Sequence, residues 1–276
     1  MTVDGPEVAV ALAVRTVGTG SPALVFVHGF ACDGTDWRAQ VTSFAAETTV
    51  VTVDLPGHGR NRAAEAECTI ADYGRWVAQA LSELALAPAV LIGHSMGCRV
   101  VLEAARRRPE AVAGLVLIDG SRIGEGDPVA ARRAMAEEII GDGYQRFIRK
   151  FFGSMFVASS DDELKRAITE RALLFSPTIG RSLLADLADW DAAEAVKALA
   201  AVRVPLLAIQ STTMDSGRAR LSLQPGQNSP WLDLIRAEVP MAIIAELFGA
   251  GHFPQIEQAG EVNAAIAQFV RRECAQ

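Results

Sequence analysis

Short runs of β-branched and aliphatic residues, separated by stretches of helical periodicity, constrain this chain more than any other feature. The runs are Val8 to Val14, Ala23 to Val27, Thr49 to Val53, Ala89 to Ile92, Gly114 to Ile118, Pro205 to Ile209 and Met241 to Ile244. Several, such as Leu115-Val116-Leu117-Ile118, show no alternation with polar residues, a pattern a strand sustains only when both faces of its sheet are covered. The alternation predicts an α/β fold, a mostly parallel twisted sheet with crossover helices on both faces. At about 150 residues per domain the length leaves one or two units open.

The intervening stretches carry helix signals. Ile70 to Leu86 places Tyr73, Trp76, Val77, Ala80, Leu81 and Leu84 on one stripe, which reads as core. Between residues 121 and 200 the strand runs stop and helical patterns follow one another. Asp127-Pro128 is a cap followed by a first-turn proline, and Gly141 is the expected stop. Tyr144, Phe147, Ile148, Phe151, Phe152 and Met155 then repeat at helical spacing. A further helix starts near Ser160, with Asp161, Asp162 and Glu163 at its dipole-favoured end, and stops before Pro177. The chain therefore divides into a core of residues 1–120 and 201–276 and an all-helical insert of residues 121–200.

The chemistry centres on Gly93-His94-Ser95-Met96-Gly97, which follows the apolar run Ala89 to Ile92 and precedes the helical stretch Arg99 to Arg108. A serine at a tight strand-to-helix turn adopts strained backbone angles, and the flanking glycines admit the close approach of neighbouring backbone. The following helix turn aims N–H groups and positive dipole at the same spot. A serine needs a base, and the chain has four histidines. His252, in Gly249-Ala250-Gly251-His252-Phe253-Pro254, follows the last strand run on a glycine-rich loop and is the expected base. His28, His58 and His94 read as structural. The loop after Val27 offers an oxyanion donor at Phe30, and Met96 offers the second.

At these residues the chain resembles the α/β-hydrolase superfamily. The resemblance rests on His28-Gly29-Phe30 with Trp37 behind it, Asp54-Leu55-Pro56-Gly57-His58-Gly59, Gly93 to Gly97, Val204-Pro205-Leu206-Leu207 and Gly251-His252-Phe253, in that order. It implies a Ser–acid–His triad, a cap formed by the helical insert, no metal and no organic cofactor. Two positions depart from the pattern. Cys98 stands where a second glycine is common. The usual G-x-x-D turn is absent after Ile209, where Gln210-Ser211-Thr212-Thr213-Met214-Asp215 is found, with Arg218 to Gln227 as an inserted loop. The acid is therefore either Asp119, at the end of the Gly114 to Ile118 run, or Asp215. Asp54 falls too early in the chain.

The expected activity is hydrolysis of a carboxylic ester, thioester or lactone through an acyl-serine, with Phe147, Phe151, Phe152, Met155 and Trp190 as candidates for the pocket. Carbon–carbon bond hydrolysis of a diketone-type substrate, cofactor-free oxygenation and non-catalytic small-molecule binding are the alternatives. With 26 basic against 33 acidic side chains the net charge is −7, which argues against nucleic-acid or anionic-membrane partners. The longest apolar run, Ala111 to Ile118, falls well below the ~18 residues of a membrane span. With no secretion-type leader evident, a cytoplasmic monomer or homodimer acting on a small molecule is expected. The four cysteines, Cys32, Cys68, Cys98 and Cys274, form neither a disulfide framework nor a metal-finger spacing.

Overall fold

The computed structural model describes residues 13–61, 68–214 and 220–274. Strands β1 (Ala13–Val17), β2 (Ala23–Val27), β3 (Val50–Asp54), β4 (Ala89–His94), β5 (Val112–Ile118), β6 (Leu206–Gln210) and β9 (Ile243–Glu246) form one seven-stranded sheet, ordered β1-β3-β2-β4-β5-β6-β9. All neighbouring pairs are parallel except β1 with β3, where Ala13 faces Asp54 and Val17 faces Val50. The first strand lies later than the run Val8 to Val14 suggests, and most of that run falls outside the described residues. As an antiparallel edge strand, β1 is only partly buried, so an apolar run is a weak guide to its position.

The central strands bury both faces. In β2, Ala23, Val25 and Val27 point into one core while Leu24 and Phe26 point into the other. In β5, Leu115 and Leu117 divide from Val116 and Ile118 in the same way. Successive strand residues face opposite sides, so a doubly covered sheet selects uninterrupted apolar runs. On one face lie α2 (Ile70–Glu83) and α3 (Met96–Arg107); on the other lie α1 (Arg38–Phe44) and α11 (Ala259–Phe269), with α9 (Pro230–Glu238) and α10 (Pro254–Glu257) in the C-terminal connections. Of the α2 stripe, Tyr73, Trp76, Val77, Ala80 and Leu81 are buried, whereas Leu84 lies at the helix end and is exposed.

Five helices join β5 to β6: α4 (Pro128–Asp142), α5 (Tyr144–Gly153), α6 (Asp162–Leu173), α7 (Pro177–Ala193) and α8 (Ala195–Ala200). Asp127, Asp161 and Ser176 each cap the helix that follows, accepting from Ala130 N, Leu164 N and Ile179 N. The stop of α4 is Gly143 rather than Gly141: φ at Gly143 is +75°, and Gly141 continues the helix. Buried polar contacts fix this insert to the core. Asp191 of α7 makes a two-point pair with Arg99 of α3 at 2.8 and 2.7 Å, and Trp190 Nε1 donates to Glu103 Oε1 at 2.9 Å.

The strand order reverses beside β2 and β4. A crevice therefore opens at their carboxyl ends, the place where open α/β sheets accommodate ligands. After β6 the chain forms a small antiparallel ribbon, β7 (Thr212–Met214) with β8 (Arg220–Ser222), in place of a simple turn.

Candidate active site

Ser95 stands between the end of β4 and the start of α3 with φ 54° and ψ −113°, the strained turn its glycines anticipate. A Cβ on Gly97 would lie 2.3 Å from Val27 O, and one on Gly93 would lie 2.2 Å from Gly97 O, so neither position tolerates a side chain. Beneath the turn Cys98 Sγ faces Gly93 O and Ile118 O at 3.2 and 3.5 Å, and burial pushes its thiol up to about 12, which leaves it unreactive.

His252 Nε2 lies 2.8 Å from Ser95 Oγ, and its Nδ1 lies 2.6 Å from Asp119 Oδ2. Of the two aspartates the sequence leaves open, Asp119 meets the histidine; Asp215 lies outside the described residues. Asp119 also has positive φ, 44°, so the chain bends sharply at both the serine and the carboxylate. Its carboxylate is fully buried and surrounded by donors. Oδ1 accepts the Ser211 and Thr212 backbone N–H groups, both at 2.8 Å, and Oδ2 accepts the Thr212 hydroxyl at 2.6 Å and Arg220 Nη1 at 3.2 Å. The Ser211 hydroxyl sits between Asp119 Oδ1 and Gly251 O, at 3.0 and 2.7 Å, and its single proton serves one of them at a time.

This environment sets the charges. Burial opposes ionisation of Asp119, but the hydrogen bond from His252, the charges of His252 and Arg220 and the Thr212 hydroxyl outweigh it and hold the carboxyl at about 2. Burial, then the nearby Arg220 charge, draws His252 down to about 4 against the pull of Asp119. The imidazole is therefore neutral at pH 7, with its Nδ1–H given to the carboxylate and Nε2 free to accept the serine proton.

The other histidines are tied down by contacts that leave no catalytic freedom. His28 faces Gly29 O through Nδ1 at 2.8 Å and accepts Leu55 N on Nε2 at 3.1 Å. His94 Nε2 donates to His252 O at 2.6 Å, and His58 lies 4.5 Å from the Phe175 ring with Nδ1 near Pro56 O. Burial lowers the pKa of all three. Asp54 accepts Gly34 N, Arg60 N and Arg60 Nε, clamping two loops together.

A cavity of about 30 Å³, room for about two water molecules, lies over Ser95. Phe30, Met96, Phe151, Phe152, Met155 and Leu187 form much of its wall. Phe147 and Trp190, also expected there, are elsewhere. Phe147 stacks behind Phe151 at 5.6 Å between ring centroids, and Trp190 is turned toward Glu103. An apolar stripe wider than one side chain must bury part of itself away from the cavity, and periodicity cannot say which part. Arg99 and Arg220 also reach the wall. Sequence reading missed both, together with Ser211 and Thr212; a basic residue buried after the elbow and another in an inserted loop carry no distinguishing local pattern.

The family model for the alpha/beta hydrolase family matches residues 24–265. The chain belongs to the α/β-hydrolase family. It is 30% identical over 272 residues to the dihydrolipoyllysine-residue acetyltransferase component of the acetoin cleaving system of Cupriavidus necator, covering 92% of this chain and 64% of that protein. The hydrolase-family chain thus spans less than two thirds of that relative. Among solved structures it resembles a thermophilic esterase from Thermogutta terrifontis, with a TM-score of 0.78, 25% identity and coverage of 96% and 94% of the two chains. It also shares the fold of the enol-lactonase from Burkholderia xenovorans LB400, with a TM-score of 0.77, 21% identity and coverage of 95% and 96%. No helix among the described residues is long and apolar enough to cross a membrane.

Proposed function

We propose that this α/β-hydrolase family member cleaves a small carboxylic ester, thioester or lactone through an acyl-serine. The observation that carries the reading is the unbroken contact chain Ser95 Oγ, His252 Nε2, His252 Nδ1, Asp119 Oδ2, with 2.8 and 2.6 Å at its two hydrogen bonds. Ser95 Oγ attacks the carbonyl carbon while its proton passes to His252 Nε2, and the carbonyl π electrons move to oxygen. The oxyanion faces the backbone N–H groups of Phe30 and Met96, each such donor contributing roughly 10²-fold in rate. Met96 opens α3, so its N–H has no carbonyl partner within the helix. Collapse expels the leaving oxygen or sulfur, which takes the proton from His252. Water then repeats the sequence on the acyl-serine and restores the enzyme.

Asp119 remains ionised throughout and holds the imidazole in the tautomer that accepts from serine. The helical insert supplies the apolar wall for the acyl chain through Phe151, Phe152, Met155 and Leu187. Treatment with a fluorophosphonate followed by peptide mass spectrometry should give one adduct, on Ser95, and p-nitrophenyl esters of short acids should turn over. Ser95→Ala should remove both with an unchanged circular dichroism spectrum. Ester turnover that survives in Ser95→Ala would overturn the reading.

A further inference from the structure

The Ser95–Met96 peptide is a trans, planar unit, so Ser95 O and Met96 N–H point in opposite directions across one plane. In the acyl-serine reading its N–H end is an oxyanion donor. Its C=O end accepts Cys98 N at 3.0 Å and, from a side chain, Arg99 Nη1 at 3.1 Å. A guanidinium therefore sits on the far end of the same amide that would face the developing negative charge.

Arg99 is itself fixed. Its side chain is 3% exposed, and the wholly buried carboxylate of Asp191, on α7 of the helical insert, takes its Nε and Nη2. Nη2 also donates to Ser121 O, and Asp191 Oδ2 accepts Ile123 N at 2.7 Å. A planar fork held at Nε and Nη2 has little freedom left in the direction of Nη1. One ion pair thus joins the insert to the elbow carbonyl and to the segment that follows Asp119. Stability alone is a poor account of it, because the desolvation of two buried charges roughly offsets their attraction, and apolar replacements of such pairs are often neutral or stabilising. The Arg99 charge also reaches the reacting groups, since it is among those that lower the pKa of His252.

We propose that Arg99 is a positioning residue for the oxyanion hole, held in place by Asp191 of the insert. A cation on Ser95 O draws electron density through the amide, which makes Met96 N–H a stronger donor. It also resists rotation of that peptide while charge builds on the substrate oxygen, so the donor is aimed before the reaction begins. The insert then supports the chemistry as well as lining the acyl site. This inference rests on the acyl-serine reading and concerns the rate of its charged steps.

The test is the variant pair Arg99→Met/Asp191→Asn, which removes both buried charges together and keeps an acceptor for Ile123 N. Active sites are counted by fluorophosphonate labelling of Ser95, and kcat per labelled serine and KM are measured on p-nitrophenyl butyrate. Acylation and deacylation both pass through an oxyanion, so kcat and kcat/KM should fall together by about tenfold, with KM within about twofold of the parent. 1,1,1-Trifluoro-2-pentanone reads the same donor without turnover: Ser95 Oγ adds to its carbonyl carbon, the π pair moves to oxygen and the serine proton passes to His252. Its Ki should rise by the factor that kcat/KM loses. Where the double variant fails to fold, Arg99→Lys carries the test; it keeps the charge opposite Asp191, but an ammonium lacks the fork that reaches Asp191 and Ser95 O together, so the same joint fall is expected at smaller size. Parent kcat per labelled serine, an unmoved Ki, or a loss confined to the labelled fraction or to KM overturns the proposal while leaving the triad standing. A parent that neither labels at Ser95 nor hydrolyses esters overturns the acyl-serine reading, and the role of Arg99 with it.

Discussion

Replacing Asp119 by Asn tests the charge arrangement at its most buried point. Oδ1 receives two backbone N–H groups that cannot turn around, so the amide oxygen must take that place. The amide nitrogen then occupies the Oδ2 position, 2.6 Å from His252 Nδ1. It donates where the carboxylate accepted, so Nδ1 becomes the acceptor and Nε2 carries the hydrogen. An imidazole in that tautomer cannot take the Ser95 proton. The same reversal on an unrelated serine-protease fold costs ~10⁴ in kcat, which is about 5.5 kcal/mol at 1.36 kcal/mol per decade. Arg220, with a side chain 9% exposed, also loses its counter-charge. Removing one partner of a buried pair costs about 3–5 kcal/mol, a drop of roughly 6–20 °C in Tm for a protein of this size. Initial rates on p-nitrophenyl butyrate, with Tm from circular dichroism, read both. Turnover within tenfold of the parent together with an unchanged Tm would refute the argument. Asp215→Asn should match the parent in rate, and the reverse pattern would transfer the acid's role.

Further expectations follow from the same geometry. With His252 held at about 4, kcat/KM should be flat from pH 6 to 8 and fall on the acid side near that value. Arg220→Gln removes a cation that lowers the imidazole, so its acid limb should move upward, and an unmoved limb would show that the field is absent. The unfolded histidine protonates near ~6.5, so Tm should decline as pH falls from there to about 4. Asp119 extends the loss from its unfolded value of ~3.9 down to about 2. Phe151→Ala, which removes a ring from the cavity wall, should shift the preferred p-nitrophenyl ester to longer acyl chains, and an unchanged chain-length profile would place the acyl group elsewhere. Gly97→Ala puts a methyl 2.3 Å from Val27 O and should lower Tm by several degrees in a thermal melt.

The sheet was readable because strands buried on both faces leave unbroken apolar runs, and the elbow because its glycines answer a backbone contact. His252 was readable from its loop. The acid was left between two candidates, because Asp119 and Asp215 are each a single carboxylate following an apolar run in the sequence, and the distance from Asp119 to the imidazole arises from how the chain segments pack and not from local pattern. The ribbon after β6 is what a local reading cannot supply: Arg220 reaches the site only because β8 folds back onto β7. Trp190 and Phe147 show the same limit, since an amphipathic stripe marks what is buried and not against what.

One contact links the insert to His252 through the main chain. His252 N donates to Met155 O at 2.8 Å, just past the end of α5, and a Cβ on the preceding Gly251 would meet the same carbonyl at 2.7 Å. The aromatic wall therefore cannot lift away at this point without releasing the peptide that carries the imidazole. The backbone amide of His252 becomes a natural gauge of access: its hydrogen–deuterium exchange records how often the roof parts from the floor, residue-resolved and without any substrate present.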